Sequence, residues 1–293
     1  MFPGSSVALV TPLRADGQLD LPAWQRLLEW HLASGTEGVV VGGTTGESTA
    51  LTDAELLALV GAAREQIGGR MSLIVGAGTS STATTLERVR GLSSLGVDGL
   101  LVVTPAYVKP TQEGLYRHYA AIAAETRVPL VLYNVPGRTA VDLLPVTVAR
   151  LAGLGPVVAI KEALASIDRI RELCALAPGL TVLSGDDATA REAIFAGAKG
   201  VISVTANVAP QAMRALVDAA RAADHGRALA IDETLAGLHS ALFLESNPIP
   251  VKWALARLGR IDGTLRLPLT TLAAAHRATV ESALARAGLL AAQ

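Results

Sequence analysis

Eight short runs of β-branched or apolar residues begin near Val7, Gly38, Ser72, Gly99, Pro129, Val157, Thr181 and Gly200, and stretches of helical length lie between them. This alternation of a strand period with a helix period constrains the fold more than any other feature. Apolar residues spaced three and four apart from Leu21 to Leu32 predict an amphipathic helix. Thr52-Asp53-Ala54-Glu55 reads as a capping box, with Thr52 as N-cap and Glu55 at the third helical position. Strand–helix repeats of this number, in a span of roughly 220 residues, predict an α/β chain closed into a (β/α)8 barrel, the TIM-barrel architecture. A doubly wound open sheet competes with it. That fold carries a Gly-rich turn after its first strand, and Val10-Thr11-Pro12-Leu13 is not one. From Pro210 onward the chain reads as helices only, broken at Asn247-Pro248-Ile249-Pro250 and around Leu267-Pro268. No linker rich in Gly, Ser or Pro sets this part off. The expected organisation is a barrel over residues 1–225 and a small C-terminal helical domain over residues 226–293.

Functional groups of such a barrel sit at the C-terminal ends of its strands. The sixth strand carries Val157-Val158-Ala159-Ile160-Lys161-Glu162-Ala163. Only Lys109, Lys161, Lys199 and Lys252 are lysines, and arginine supplies the other twenty-one basic residues. An arginine cannot lose its proton, whereas a desolvated lysine can become neutral and attack a carbonyl. Lys161 is therefore a candidate Schiff-base nucleophile. By itself it fits equally well a strand-end lysine whose ammonium reaches water or pairs with Glu162.

Other polar groups converge on the same rim. Gly42-Gly43-Thr44-Thr45-Gly46-Glu47-Ser48 follows the second strand. It reads either as a tight turn into a helix or as a backbone cradle for a carboxylate, with the two threonine hydroxyls as a proton relay. Tyr107 after the fourth strand and Tyr133 at the end of the fifth could shuttle protons beside an imine, or could be core tyrosines with a wet hydroxyl. Arg138 could clamp a substrate carboxylate with two parallel bonds, or be an ordinary surface arginine. Asp186 and Asp187 fit a helix cap better than a catalytic pair.

Taken together, Val7-Ala8-Leu9-Val10-Thr11-Pro12, Gly43-Thr44-Thr45-Gly46-Glu47-Ser48, Tyr133-Asn134-Val135-Pro136, Ile160-Lys161-Glu162-Ala163, Ser184-Gly185-Asp186-Asp187 and Asn247-Pro248-Ile249-Pro250-Val251-Lys252 resemble a known family almost end to end. It is the family of pyruvate-dependent class I aldolases that includes dihydrodipicolinate synthase and N-acetylneuraminate lyase. Thr44-Thr45 and Gly137-Arg138-Thr139 look like the synthase branch. The resemblance implies an imine between Lys161 and pyruvate, with Tyr133 relaying protons. It implies that Thr44 links Tyr133 to a Tyr107 reaching in from a neighbouring subunit of a homotetramer, a dimer of dimers. Thr45 would hold the pyruvate carboxylate, Arg138 the carboxylate of L-aspartate 4-semialdehyde, and Gly185 and Ile202 would line the pyruvate pocket. The implied product is 4-hydroxy-tetrahydrodipicolinate, on the lysine and diaminopimelate route. Lysine-inhibited relatives usually carry His at one or both of the positions of Asp53 and Leu56, Asn at Ser80, Glu at Thr84 and an aromatic at Ala106. All five differ here, so weak or no inhibition is expected.

The bulk properties agree with a small-molecule enzyme. A net charge of -1 offers no electrostatic case for nucleic acid or an anionic membrane. Cys174 is the only cysteine, and the first residues lack a basic region and a cleavage site, so a cytoplasmic location without internal disulfides is expected. His31, His118, His225, His239 and His276 form no pair at metal-ligand spacing, and no metal or cofactor is expected. Two other readings stand beside the synthase: a 2-keto-3-deoxy sugar acid aldolase, and a non-catalytic barrel that binds a keto acid.

Overall fold

The computed structural model describes residues 1–290, so the last three residues of the expected C-terminal extension lie outside the described residues. Strands β1 (Gly4–Ala8), β2 (Gly38–Val41), β3 (Ser72–Gly76) and β4 (Gly99–Val103) alternate with helices α1 (Leu21–Ala33), α2 (Asp53–Ile67), α3 (Thr82–Ser93) and α4 (Gln112–Ala124). Strand β5 (Leu130–Asn134) is followed by a single turn, α5 (Pro136–Thr139), and by α6 (Pro145–Leu151). Then come β6 (Val157–Glu162), α7 (Ile167–Leu176), β7 (Thr181–Ser184), α8 (Ala190–Phe195) and β8 (Gly200–Ser203). The strands are parallel, and β8 returns to pair with β1. The sheet is a closed barrel, which removes the doubly wound alternative.

Two cores result from that closure. Ala8, Val40, Ile74, Leu101, Val131, Ala159, Leu183 and Ile202 pack inside the barrel. Their strand neighbours, among them Val39, Val75, Leu100, Leu132, Ile160 and Val182, pack against the helices. Burial on both faces explains the near-continuous apolar runs. Helices α1, α2, α3, α4 and α7 each begin at a polar residue whose side chain accepts from an otherwise orphan amide of the first turn. Thr52 accepts from the Glu55 amide at 3.2 Å, and Glu55 accepts from the Thr52 amide at 2.9 Å, which is the anticipated capping box. The expected apolar stripe of α1 is Ala23, Trp24, Leu27, Leu28 and His31, and Trp24 Nε1 donates to the Leu59 carbonyl of α2.

Beyond the barrel the described residues form helices and their connections, with no further strand. Helix α9 (Pro210–Arg221) packs against β1 and β8, α10 (His225–Ala241) against α9, and α11 (Ile249–Arg257) and α12 (Ala274–Arg286) against each other. Among the described residues no helix is long and apolar enough to cross a membrane.

Backbones approach closely at the mouth of the barrel between β3 and the turn after β2. A Cβ placed on Gly76 would stand 2.0 Å from the Gly42 carbonyl oxygen, an atom of rigid backbone. Gly76→Ala is therefore expected to cost about 3 kcal/mol of stability in urea denaturation, or more where the strands cannot part. A loss below about 0.5 kcal/mol, the scale of a neutral surface change, would show that the turn yields freely.

Candidate active site

Lys161 shares strand parity with Ala159, whose side chain faces the barrel interior, and Glu162 has the opposite parity. The lysine therefore points into the barrel mouth and is only 5% exposed. It lies in register with Tyr133 on one side and Leu183 on the other. Its Nζ stands 4.4 Å from the centre of the Tyr133 ring. Glu162 is bonded behind the strand. Asn134 Nδ2 donates to both of its carboxylate oxygens, at 3.1 and 3.0 Å, and the Leu164 amide donates at 2.8 Å. Arg169 stands 3.5 Å away. Burial pushes the Glu162 carboxyl above its usual range, and the Asn134 bonds oppose that shift. The pairing of Lys161 with Glu162 that the sequence left open is thus excluded. Among the described residues no carboxylate forms an ion pair with Lys161.

Gly185 and Ile202 flank the lysine. A Cβ on Gly185 would lie 2.9 Å from Lys161 Cε and 2.9 Å from the Ala163 methyl. Glycine at this position leaves the lysine stem its room. Ile202 packs in the inner layer with Tyr133 and Leu183.

The Thr44-Thr45 segment forms turns over residues 44–50, and α2 starts only at Asp53. The two threonines therefore do not stand at a helix N-terminus, as a cradle at a helix start would require. Their turn is built on Gly42 at φ +64° and Glu47 at φ +55°. Thr11 Oγ1 donates to the Gly46 carbonyl at 2.7 Å and holds the turn to the rim. Thr44 is half-buried. Thr45 is buried, and its hydroxyl accepts a 2.9 Å bond from Asn247 Nδ2.

Arg138 lies on the single turn α5 and sends Nη2 to the Asn247 carbonyl at 3.0 Å. Asp186 caps the turn ahead of α8 by accepting from the amide and the hydroxyl of Thr189. Asp187 instead accepts from the amides of Val204 and Thr205 and fixes the exit of β8. Tyr107 is not brought to the lysine of its own chain. It is 91% exposed, on a loop where Tyr107 and Lys109 both take left-handed φ, +75° and +45°.

A family model described as the dihydrodipicolinate synthetase family matches residues 1–287. The chain belongs to this family. A 4-hydroxy-tetrahydrodipicolinate synthase of Teredinibacter turnerae is 50% identical over 291 residues, covering 99% of this chain and 100% of that protein. The solved chloride-inhibited dihydrodipicolinate synthase of Acinetobacter baumannii, complexed with pyruvate, aligns with a TM-score of 0.98 at 45% identity, over 99% of this chain and 100% of that one. A monomeric dihydrodipicolinate synthase variant aligns with a TM-score of 0.97 at 43% identity, over 99% and 98% of the two chains.

Within this family member, α11 and the segment between α11 and α12 contribute residues to the rim to which no role was given from sequence. Lys252 is fully buried, and its Nζ donates to Glu47 Oε1 at 2.6 Å. Burial lowers its pKa, against which the Glu47 charge acts. Glu47 Oε2 accepts from the Arg266 amide, so the threonine turn is held from two further points. The only sequence signal for these contacts was the Asn247-Pro248-Ile249-Pro250-Val251-Lys252 motif. Its partners lie some two hundred positions away.

The packing around Gly185 makes one substitution diagnostic. Gly185→Val would push on the flexible stem of Lys161 and on the Ala163 methyl, which is fixed to its backbone. It is expected to lower the melting temperature by overpacking against Ala163 while turnover of the folded protein falls at least about a hundredfold, the cost of misplacing a reacting group. Turnover within threefold of wild type would show that the amine has freedom to move aside without loss.

Proposed function

We infer that this chain catalyses the aldol condensation of pyruvate with L-aspartate 4-semialdehyde to 4-hydroxy-tetrahydrodipicolinate, a lyase activity of lysine and diaminopimelate biosynthesis. The observation that carries the reading is a buried lysine amine, free of any carboxylate, beside Tyr133 in the mouth of a closed barrel. The methyl group of pyruvate is a poor carbon acid. Attack of the Lys161 amine on the ketone, with loss of water, gives a protonated imine. That imine is an electron sink, so a methyl proton can leave and an enamine form. The enamine carbon attacks the aldehyde, and the amino group of the second substrate then displaces Lys161 to close the ring. One water is released overall and the lysine is regenerated.

The other residues take roles that fit their positions. Tyr133 relays protons at the imine. Thr45 holds the pyruvate carboxylate, with Gly185 and Ile202 walling the pocket. Arg138 meets the carboxylate of the aldehyde substrate. Thr44 links Tyr133 to the Tyr107 of a neighbouring subunit, which gives the exposed, left-handed Tyr107 loop a purpose in a homotetramer. The solved monomeric variant makes assembly a separate question from fold. The reading goes with a cytoplasmic enzyme whose residues 1–225 carry the chemistry and whose residues 226–293 brace it.

Lys161→Arg tests it, because guanidinium cannot form the imine. Turnover is expected to fall below about a thousandth of wild type with the fold retained. Borohydride added with pyruvate is expected to reduce the imine to a stable adduct on wild-type Lys161 and to give none on the variant. Adduct formation without turnover of L-aspartate 4-semialdehyde would instead favour a sugar acid aldolase, and sugar aldehydes are the substrates to try next.

L-Lysine is expected to inhibit weakly. Asp53 could have drawn its ammonium, but the Asp53 carboxylate is already paired with Arg88 at 2.7 Å. Leu56 is buried, with its Cδ1 2.5 Å from where a Gly42 Cβ would stand. Thr84 and Ala106 supply neither charge nor ring. The check is a titration of activity at subsaturating pyruvate. Half-inhibition below about 1 mM, roughly 4 kcal/mol of binding, would show a functioning site built from other residues.

A further inference from the structure

Asn247 stands between α10 and α11, far from the strands in sequence, and is 6% exposed. It touches two groups of the rim at once. Its Nδ2 donates to Thr45 Oγ1 at 2.9 Å, and its main-chain carbonyl accepts from Arg138 Nη2 at 3.0 Å. Its own Oδ1 is buried with no partner among the described residues. Buried side-chain polar atoms normally have at least one hydrogen-bond partner. This side chain spends its one hydrogen bond on Thr45.

The direction of that bond has a chemical consequence. A threonine hydroxyl has one proton and two acceptor positions. With an acceptor position filled by Asn247, the hydroxyl proton of Thr45 is turned away from Asn247 and left to donate to a bound acceptor. We propose that Asn247 is a positioning residue for the pyruvate carboxylate: its amide orients the Thr45 hydroxyl as a donor, while its carbonyl anchors the Arg138 guanidinium. Groups that meet the two substrates thus hang from one residue of the C-terminal segment. The inference rests on the reading of Thr45 and Arg138 given under Proposed function.

Two substitutions separate this role from mere packing. Asn247→Ala removes the donor and keeps the carbonyl. Asn247→Asp is nearly isosteric but replaces the donor by a charged acceptor, which captures the Thr45 proton and adds negative charge near the carboxylate site. Steady-state kinetics in both substrates, with borohydride trapping of pyruvate, provides the readout, and thermal melting verifies the fold. The pyruvate KM is expected to rise about threefold to tenfold in Asn247→Ala, the loss of one neutral hydrogen bond, and at least about thirtyfold in Asn247→Asp. The aldehyde KM is expected to stay within about threefold in both, and Lys161 is still fully trapped at saturating pyruvate. In a Thr45→Val background, Asn247→Asp is expected to lose most of its effect on the pyruvate KM, because its target hydroxyl is gone. Should Asn247→Ala fail to fold, this double-mutant cycle decides alone. An Asp variant no worse than Ala, a larger effect on the aldehyde than on pyruvate, or full additivity with Thr45→Val would overturn the proposal. Absence of trapping in the wild type would overturn the catalytic reading instead.

Discussion

A closed parallel barrel allows only two directions for a side chain, and strand parity chooses between them. That constraint separates Lys161 from Glu162. Adjacent in sequence, the two would neutralise each other on a flexible segment. On β6 the amine points inward beside Tyr133, while the carboxylate points outward to Asn134 and Arg169. The outward group is deeply buried, and an unbonded carboxylate there would be costly. Asn134 sits opposite Glu162 in the strand register and meets that cost with its side-chain amide. Asp142, held below its usual carboxylate range by Arg169, shares the same guanidinium. The polar network behind the strand therefore keeps the chemistry in front of it apart from a counter-charge.

The mouth of the barrel is braced from α11 and from the segment that follows it. Glu47, in a left-handed conformation that a residue with a side chain adopts at a cost of about 1–2 kcal/mol, is fixed by the Lys252 ammonium and the Arg266 amide. Removing one partner from a buried pair of this kind costs about 3–5 kcal/mol, since the other charge is left alone. The strain of the turn is thus smaller than the cost of losing the contacts that hold it. Arg266 extends the brace to the Gly17 and Ala50 carbonyls and to Glu55, whose pKa its hydrogen bond lowers to about 2. The chain after the barrel is in this sense part of the rim.

This division explains what could be read in the sequence. Each strand, the α1 stripe and the Thr52 capping box depend on residues within one or two turns, so periodicity reveals them. Lys161 stood out because a lysine in an apolar strand is rare in a chain so sparing of lysine. Neither aspartate is the helix cap that the local pattern suggests: Thr189 stands at the N-cap of α8, Asp186 closes the turn before it, and Asp187 bonds across to the exit of β8, which no local pattern announces. The bond between Asn247 and Thr45 spans 202 positions and that between Arg138 and Asn247 spans 109. Contacts at such separations exist only once the barrel has closed. The family resemblance marked the Asn247 motif without saying what it touched.

Tyr107 differs from the rest of the proposed machinery in its physics. Lys161, Tyr133 and Thr45 are buried, and each is walled by inner-barrel packing or held by a bond from within the chain. Tyr107 is neither buried nor braced, although its loop holds two residues in left-handed conformations. Conformations of that kind persist where surrounding contacts over-determine them. The Tyr107 ring is 91% exposed in the single chain, and a second copy seated on the loop is the proposed source of such contacts. On the proposed reading Lys161, Tyr133 and Thr45 stand within one barrel, and Tyr107 would join them only from a second copy. On that arrangement, separating the subunits should leave the lysine and its pocket intact and remove only the far end of the relay.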